Sequence, residues 1–337
     1  MNLKPKKTSS LQGLVNPKLS VVVTTWNNEK FIARCLRSII SQDLSFNYEI
    51  LVGNDASTDG TADVVRQIES EFPDIIVFYD RPKNVGTSEN FIDLVYKAKG
   101  EYIAQVDGDD ALIDNSKFRV QIDLLDENKD VSICFHHYKK VDADGNELKP
   151  SKTPFDKDTI TDLDLLLTTT MGPGNTTVFR KNALPPTSPI WLRQCANHKD
   201  FALQFLVASK GKIAYIHKVM SAYTIHENNI TKIESVEKLH SNAILINNGF
   251  LEYHKLLGIN KYQEILKGII NHKMLLFSFF FLESGLYFKF LKSIFSSLVF
   301  HRHWNKKMLK DAMYVGAPTK FESWKTFFKP LSRKSLD

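Results

Sequence analysis

A chain of 337 residues, 43% of them hydrophobic, can bury one large core or two smaller ones, which excludes a mainly disordered protein. Its three cysteines, Cys35, Cys134 and Cys195, lie far apart without CxxC or Cys/His spacing, so neither a disulfide framework nor a zinc site is indicated and a reducing, cytoplasmic setting fits. The net charge of +6 resides wholly in residues 301–337, where nine Lys/Arg face three Asp/Glu, and no basic stripe with interleaved aromatics suggests a nucleic-acid partner.

Residues 1–18 carry lysines but no apolar run of signal-peptide length, and they read as a flexible leader. From residue 19 apolar runs alternate with helix-like segments, the pattern of an α/β fold with a doubly wound, mostly parallel sheet flanked by helices. The runs are LSVVVTT (19–25), YEILVGN (48–54), DIIVFYD (74–80), EYIAQVD (101–107) and VSICFHHY (131–138). Their unbroken Val and Ile suit strands covered on both faces. Between them Ile32, Cys35, Leu36 and Ile39 recur at helical spacing within 28–42, and Phe91, Leu94, Val95 and Ala98 do so within 88–99. A further helix over 61–70 has Ser57, Thr58 and Asp59 ahead of it as caps.

Ligands of such sheets sit outside the carboxyl ends of the strands, which is where the polar residues of this chain collect. The first strand ends in Thr24, Thr25, Trp26 and Asn27, the second in NDASTD (54–59), and the fourth in DGDD (107–110). No GxGxxG follows the first strand and no GxxxxGK[ST] occurs, so a bound phosphate needs another source of positive charge. Carboxylates are hard oxygen ligands for Mg²⁺ or Mn²⁺, and a divalent ion would convert the mutual repulsion of Asp107, Asp109 and Asp110 into affinity. Taken alone, DGDD also describes a solvated turn. Its position after the fourth buried strand, together with NDASTDGT after the second, where capping leaves Asp55 without a task, favours the site.

Further on, TTTMGPGNTTVFR (168–180) combines a Gly-Pro-Gly loop with a strand-like exit, and Asp200 opens a helix whose Phe201, Leu203, Phe205 and Leu206 are apolar. An Asp there also suits the helix dipole, worth about 0.3–1 kcal/mol. Strands KIAYI (212–216) and VMSAY (219–223) lead into YTIH, ending at His226. Beyond residue 230 the pattern is helical, and MLLFSFFFL (274–282) is too short to span a bilayer. Phe290, Leu291, Ile294, Phe295, Leu298 and Val299 form one apolar face opposite Lys289 and Lys292, suited to packing or to an anionic membrane surface.

In order and spacing, VVVTTWNNEKFIARCLRSI, EILVGNDASTDGT, RPKNVGTSENF, GEYIAQVDGDD and HKDFALQFLVASKGKIAYI with YTIH resemble the family 2 inverting glycosyltransferases of the GT-A fold, the type that builds bacterial cell-surface polysaccharide. The resemblance covers about residues 20–228. It implies a nucleotide-sugar-binding and catalytic domain over 19–230, followed by a helical region with a basic tail over 231–337. It further implies a nucleotide-diphosphate sugar donor, usually a UDP-sugar, a Mn²⁺ or Mg²⁺ cofactor, and a saccharide or lipid-linked saccharide acceptor, with peripheral contact at the inner face of the cell membrane.

Residue by residue, the resemblance places Thr24, Trp26, Asn27, Asp55, Asn84, Gly86, Asp107 and Gly108 at the nucleotide sugar, Asp109 and His226 at the metal, and Asp200 as the general base. Asp110, Gly174, Asn175 and His198 are candidates to line the acceptor pocket or support the others, with Gly172 beside them. Asn54 stands where the family usually has Asp, and Ser88-Glu89 where many members have Ala-Arg, which removes a basic contact. The alternative is a non-catalytic nucleotide-sugar-binding module, which could dispense with Asp200. A haloacid-type phosphatase would need its nucleophilic Asp after the first strand, where this chain has TTWNN.

Overall fold

A computed structural model describes residues 17–148, 151, 154–162, 171–194, 199–227, 229 and 249. The chain divides into two compact units, Met1–Glu234 and Ser235–Asp337, and the elements below belong to the first. The leader up to residue 16, His198 and the amphipathic segment 284–299 lie outside the described residues.

The first half is built as its sequence pattern requires. Strand β1 (Leu19–Thr25) is buried at every position because it lies between β2 (Tyr48–Asn54) and β4 (Tyr102–Asp107), with helices over both faces. Strand β3 (Ile76–Asp80) forms the edge and is only partly buried. Helix α1 (Ile32–Ile40) buries Ile32, Cys35, Leu36 and Ile39, the residues whose spacing marks it in the sequence. Helix α2 (Thr61–Glu71) buries Val65 and Ile68, and α3 (Thr87–Lys97) buries Phe91, Leu94 and Val95. Removing one such side chain, as in Leu36→Ala, costs about 2–5 kcal/mol.

The strand order is β3-β2-β1-β4-β8-β6-β9-β5, with β7 (Thr159–Thr161) on β9. β3, β2, β1 and β4 run parallel, and the remaining half is mixed. Strand β6 (Val131–Asp142), whose sequence reads like a fifth parallel strand, does not touch β4; the three-residue β8 (Val178–Arg180) lies between them, antiparallel to both. KIAYI and VMSAY form one long strand, β9 (Lys212–Ile225), parallel to β6, with register shifts near His136 and His137. The two-residue β5 (Ala111–Leu112) closes the far edge on β9, and α4 (Lys117–Glu127) follows it.

The chain leaves β1 towards β2 and β3 and returns to β4 on the other side of β1, so the strand order reverses there. Such a reversal opens a crevice at the carboxyl ends. Register aligns the crevice walls: Thr24 pairs with Asp107, and Thr25 with Asn54. Two further helices, α5 (Ile190–Gln194) and α6 (Lys199–Ala208), come between β8 and β9.

Candidate active site

The loops after β1 and β2 are bonded to each other through strained backbone. Asn27 and Ala56 both have positive φ, 52° and 55°. Asn tolerates that conformation, whereas for Ala it costs about 1–2 kcal/mol. The Asn27 amide donates to Ser57 Oγ at 2.8 Å, and the Thr58 amide donates to Asn27 Oδ1 at 2.8 Å, so each loop supports the other. Trp26, between them, is 44% exposed at the crevice rim. Asp55 is buried, and its two carboxylate oxygens accept the backbone N–H groups of Val85 at 2.7 Å and Gly86 at 2.9 Å. Asn84 Nδ2 donates to the Asp55 carbonyl. Asp55 therefore forms one loop junction before α3 with Asn84 and Gly86, 29 and 31 residues further along the chain. Asn54, in turn, donates to Asp80 and accepts from Ser57.

The end of β4 turns sharply, with the Asp110 amide donating to the Asp107 carbonyl. Gly108 is required there: a Cβ would lie 2.7 Å from Thr25 Oγ1. The three carboxylates of the turn have separate surroundings. Asp107 Oδ1 accepts from Thr24 Oγ1 at 2.8 Å and from Lys199 Nζ at 2.9 Å. Asp109 Oδ2 lies 3.0 Å from His226 Nε2, and the His226 ring stacks on Phe31 with centroids 4.8 Å apart. Arg34 fixes the backbone here by donating to the Asp109 carbonyl and to Thr224 Oγ1.

Asp110 is wholly buried; its Oδ1 accepts the Thr224 amide and its Oδ2 accepts Asn175 Nδ2 at 2.7 Å. Burial, reinforced by Asp109 and Asp107, raises its carboxyl well above the ordinary value. That favours the neutral form and relieves repulsion within the turn. Asn175 is equally buried and also bonds Ala222 and Ser221. Asp110 and Asn175 thus stand behind the crevice wall and tie the β4 turn to β9.

Asp200, at the start of α6, is 28% exposed, and its Oδ1 receives two donors, Gln105 Nε2 at 2.5 Å and Lys199 Nζ at 3.3 Å. Among the described residues Oδ2 has no partner. Gly174 makes room for this arrangement, since a Cβ on it would lie 2.3 Å from the Gln105 amide group. Gly172 has φ of 83°, as its turn requires. Sequence reasoning does not single out Lys199 or Gln105, although Lys199 joins the β4 turn to Asp200 directly. Arg193 on α5 bonds Glu89 at the start of α3, bringing a guanidinium to the position where Ser88-Glu89 stands in place of Ala-Arg.

Residues 20–185 match the model of Glycosyl transferase family 2. These residues are a family 2 glycosyltransferase domain. Asp200 and His226 lie beyond that match, on α6 and after β9. A Mycobacterium tuberculosis protein of unassigned function is 28% identical over 215 residues, which are 63% of this chain and 60% of the relative, so the match spans about three-fifths of that protein's length. The poly(ribitol-phosphate) beta-glucosyltransferase of Bacillus spizizenii is 34% identical over 94 residues, 28% of this chain and 15% of the relative. S. aureus TarS, solved with UDP, superposes with a TM-score of 0.58 at 19% identity, covering 77% of this chain and 71% of that one. The likeness in fold is to a mixed α/β glycosyltransferase sheet flanked by helices.

Proposed function

We propose that this family 2 domain transfers a sugar from a nucleotide-diphosphate donor, a UDP-sugar in the first instance, to a hydroxyl of a saccharide or lipid-linked saccharide, with inversion at the anomeric carbon. The observation that carries the reading is Asp200, with one oxygen anchored by Gln105 and Lys199 and the other without a partner among the described residues, bridged through Lys199 to the carboxylate turn. Oδ2 of Asp200 takes the proton of the attacking hydroxyl while the diphosphate departs from the opposite face of the sugar, which is a single displacement. The nucleotide occupies the loops of Thr24, Trp26, Asn27, Asp55, Asn84 and Gly86, with Asp107 and Gly108 at the strand end. TarS, which has also been solved with UDP-GlcNAc, and the poly(ribitol-phosphate) enzyme support a UDP-sugar and a polymer acceptor.

Asp109 and His226 fit a divalent ion. They offer one carboxylate oxygen and one imidazole nitrogen, 3.0 Å apart and mostly shielded from solvent. Among the described residues no cluster of three or more His, Cys, Asp or Glu could hold a metal ion alone. Mn²⁺ and Mg²⁺ commonly leave positions for phosphate oxygens and water, so a two-residue site suits them. Bound there, the ion would neutralise charge on the leaving diphosphate. Among the described residues no helix is long and apolar enough to cross a membrane. Peripheral contact at the inner face of the cell membrane, through the basic sequence after residue 300, would bring the domain to a lipid-linked acceptor.

Asp200→Asn tests the reading, because Asn keeps the size and cannot take the proton. Transfer should fall about 10²- to 10⁴-fold, while UDP affinity and melting temperature stay near wild type. Unchanged transfer would place the base elsewhere. A wild-type protein that binds UDP-sugars but releases no UDP with any acceptor would instead be a binding module.

A further inference from the structure

Lys199 takes no part in the displacement, yet it is a buried cation held between two carboxylates of the crevice. Its side chain is only 8% exposed, and Nζ lies 2.9 Å from Asp107 Oδ1 and 3.3 Å from Asp200 Oδ1. Phe91, from α3, lies beneath it with its ring centroid 5.3 Å from Nζ. Burial alone would push this lysine towards its neutral form, but Asp107 and Asp200 outweigh burial and hold the ammonium well above its ordinary value. A charged ammonium on an apolar floor, facing two carboxylates, has little freedom to leave either of them.

Without that ammonium, the two carboxylates would face each other across the crevice uncompensated. Asp200 would then keep one tie among the described residues, the Gln105 amide. The terminal torsion of a carboxylate is soft, so a single hydrogen bond leaves the second oxygen poorly aimed. Misplacing a reacting group by about 1 Å costs about 10²-fold in rate. Gln105 lies on β4, two residues before Asp107, so both anchors of Asp200 refer it to the same strand end.

We propose that Lys199 is a positioning residue. With Gln105 it fixes Oδ1 of Asp200, leaves Oδ2 facing the acceptor hydroxyl, and through Asp107 sets the base at a defined distance from the donor loop. Lys199 thereby couples the donor and acceptor halves of the site. This rests on the glycosyltransferase reading above and deepens it.

The experiment compares wild type, Lys199→Ala and Lys199→Met by UDP release from UDP-glucose or UDP-GlcNAc, with UDP affinity and melting temperature measured alongside. Lys199→Ala should lose about 10²-fold in kcat with UDP affinity within a few-fold of wild type. Added ethylammonium or propylammonium should restore part of that loss, while propanol should not, because the missing group is a charge and not a volume. Lys199→Met keeps the aliphatic stem over Phe91, so it covers the case in which the alanine variant fails to fold; the same kcat loss at unchanged affinity is expected. Wild-type turnover in both variants, or equal rescue by propanol and the amines, overturns the proposal while leaving the transferase reading intact. Absence of UDP release by the wild type removes that reading and the positioning role with it.

Discussion

Asp109 differs from Asp107 and Asp110 in what already holds its oxygens. Asp107 Oδ1 accepts from two protein donors, and both Asp110 carboxylate oxygens are bonded in a buried pocket, whereas among the described residues the Asp109 carboxylate meets only the His226 imidazole. Asp109→Asn and His226→Gln should therefore abolish Mn²⁺ binding in the presence of UDP, read by titration calorimetry, and EDTA should stop wild-type transfer until Mn²⁺ or Mg²⁺ is returned. Asp107→Asn should retain most Mn²⁺ affinity and lose melting temperature instead, since Lys199 is then left with a weaker partner. If Asp107→Asn removes Mn²⁺ binding as completely as Asp109→Asn, the division of labour is wrong. The carboxylate turn and Asp200 are legible in the sequence because they stand at predictable strand and helix ends. Lys199 is not, because a lysine beside an aspartate at a helix start reads as one more solvated charge. Its burial comes from Phe91, 108 positions earlier in the chain, and from the fold that brings α3 and α6 together. Gln105 is hidden similarly, inside the apolar run of β4.

At the scale of elements, helix α4 turns a lysine inwards along with Phe118, Gln121, Ile122 and Leu125. Lys117 Nζ donates to Gln121 Oε1 at 2.8 Å and lies 4.2 Å from the Phe118 centroid, with no carboxylate partner described. Burial lowers its pKa from 10.5 to about 7. Below that value both folded and unfolded chains carry the proton, and the cost of the buried charge is fully present. Between about 7 and 10.5 the unfolded chain binds the proton and the folded chain does not, so this contribution to stability rises with pH. The slope is at most about 1.4 kcal/mol per pH unit. Lys117→Met should be more stable than wild type near pH 7, and the gap should narrow towards pH 10, measured as the difference of the two melting curves so that other titrating groups cancel. A constant gap would mean that Lys117 does not change protonation on folding. The parallel half of the sheet is legible because each strand is a continuous Val/Ile run and each helix shows its apolar spacing. The mixed half is less so: β8 has three residues and β5 two, too few for any period, and the placement of β8 between β4 and β6 is decided by tertiary pairing.

At the scale of the whole molecule, charge is distributed as unevenly as the site is concentrated. Residues 1–300 carry 35 Lys/Arg and 35 Asp/Glu, and the excess cations follow residue 300, after a sequence rich in apolar residues that includes Phe290, Ile294, Phe295 and Leu298. A lipid-linked acceptor stays at a membrane, so an enzyme that uses one gains from being held there. Each Lys or Arg near an anionic leaflet contributes about 1 kcal/mol, and the attraction weakens with salt over a Debye length of about 8–10 Å. Replacing Arg302, Lys306, Lys307 and Lys310 with Gln should therefore move the protein from pellet to supernatant when it is sedimented with phosphatidylserine-containing vesicles. High salt should do the same to wild type, and neutral vesicles should bind either form weakly. Turnover on a soluble acceptor analogue should stay unchanged, because these positions belong to the second unit and the crevice to the first. If the wild type stays in the supernatant with anionic vesicles and the substitutions lower its melting temperature, these basic residues serve packing, and the acceptor reaches Asp200 without a membrane-held enzyme.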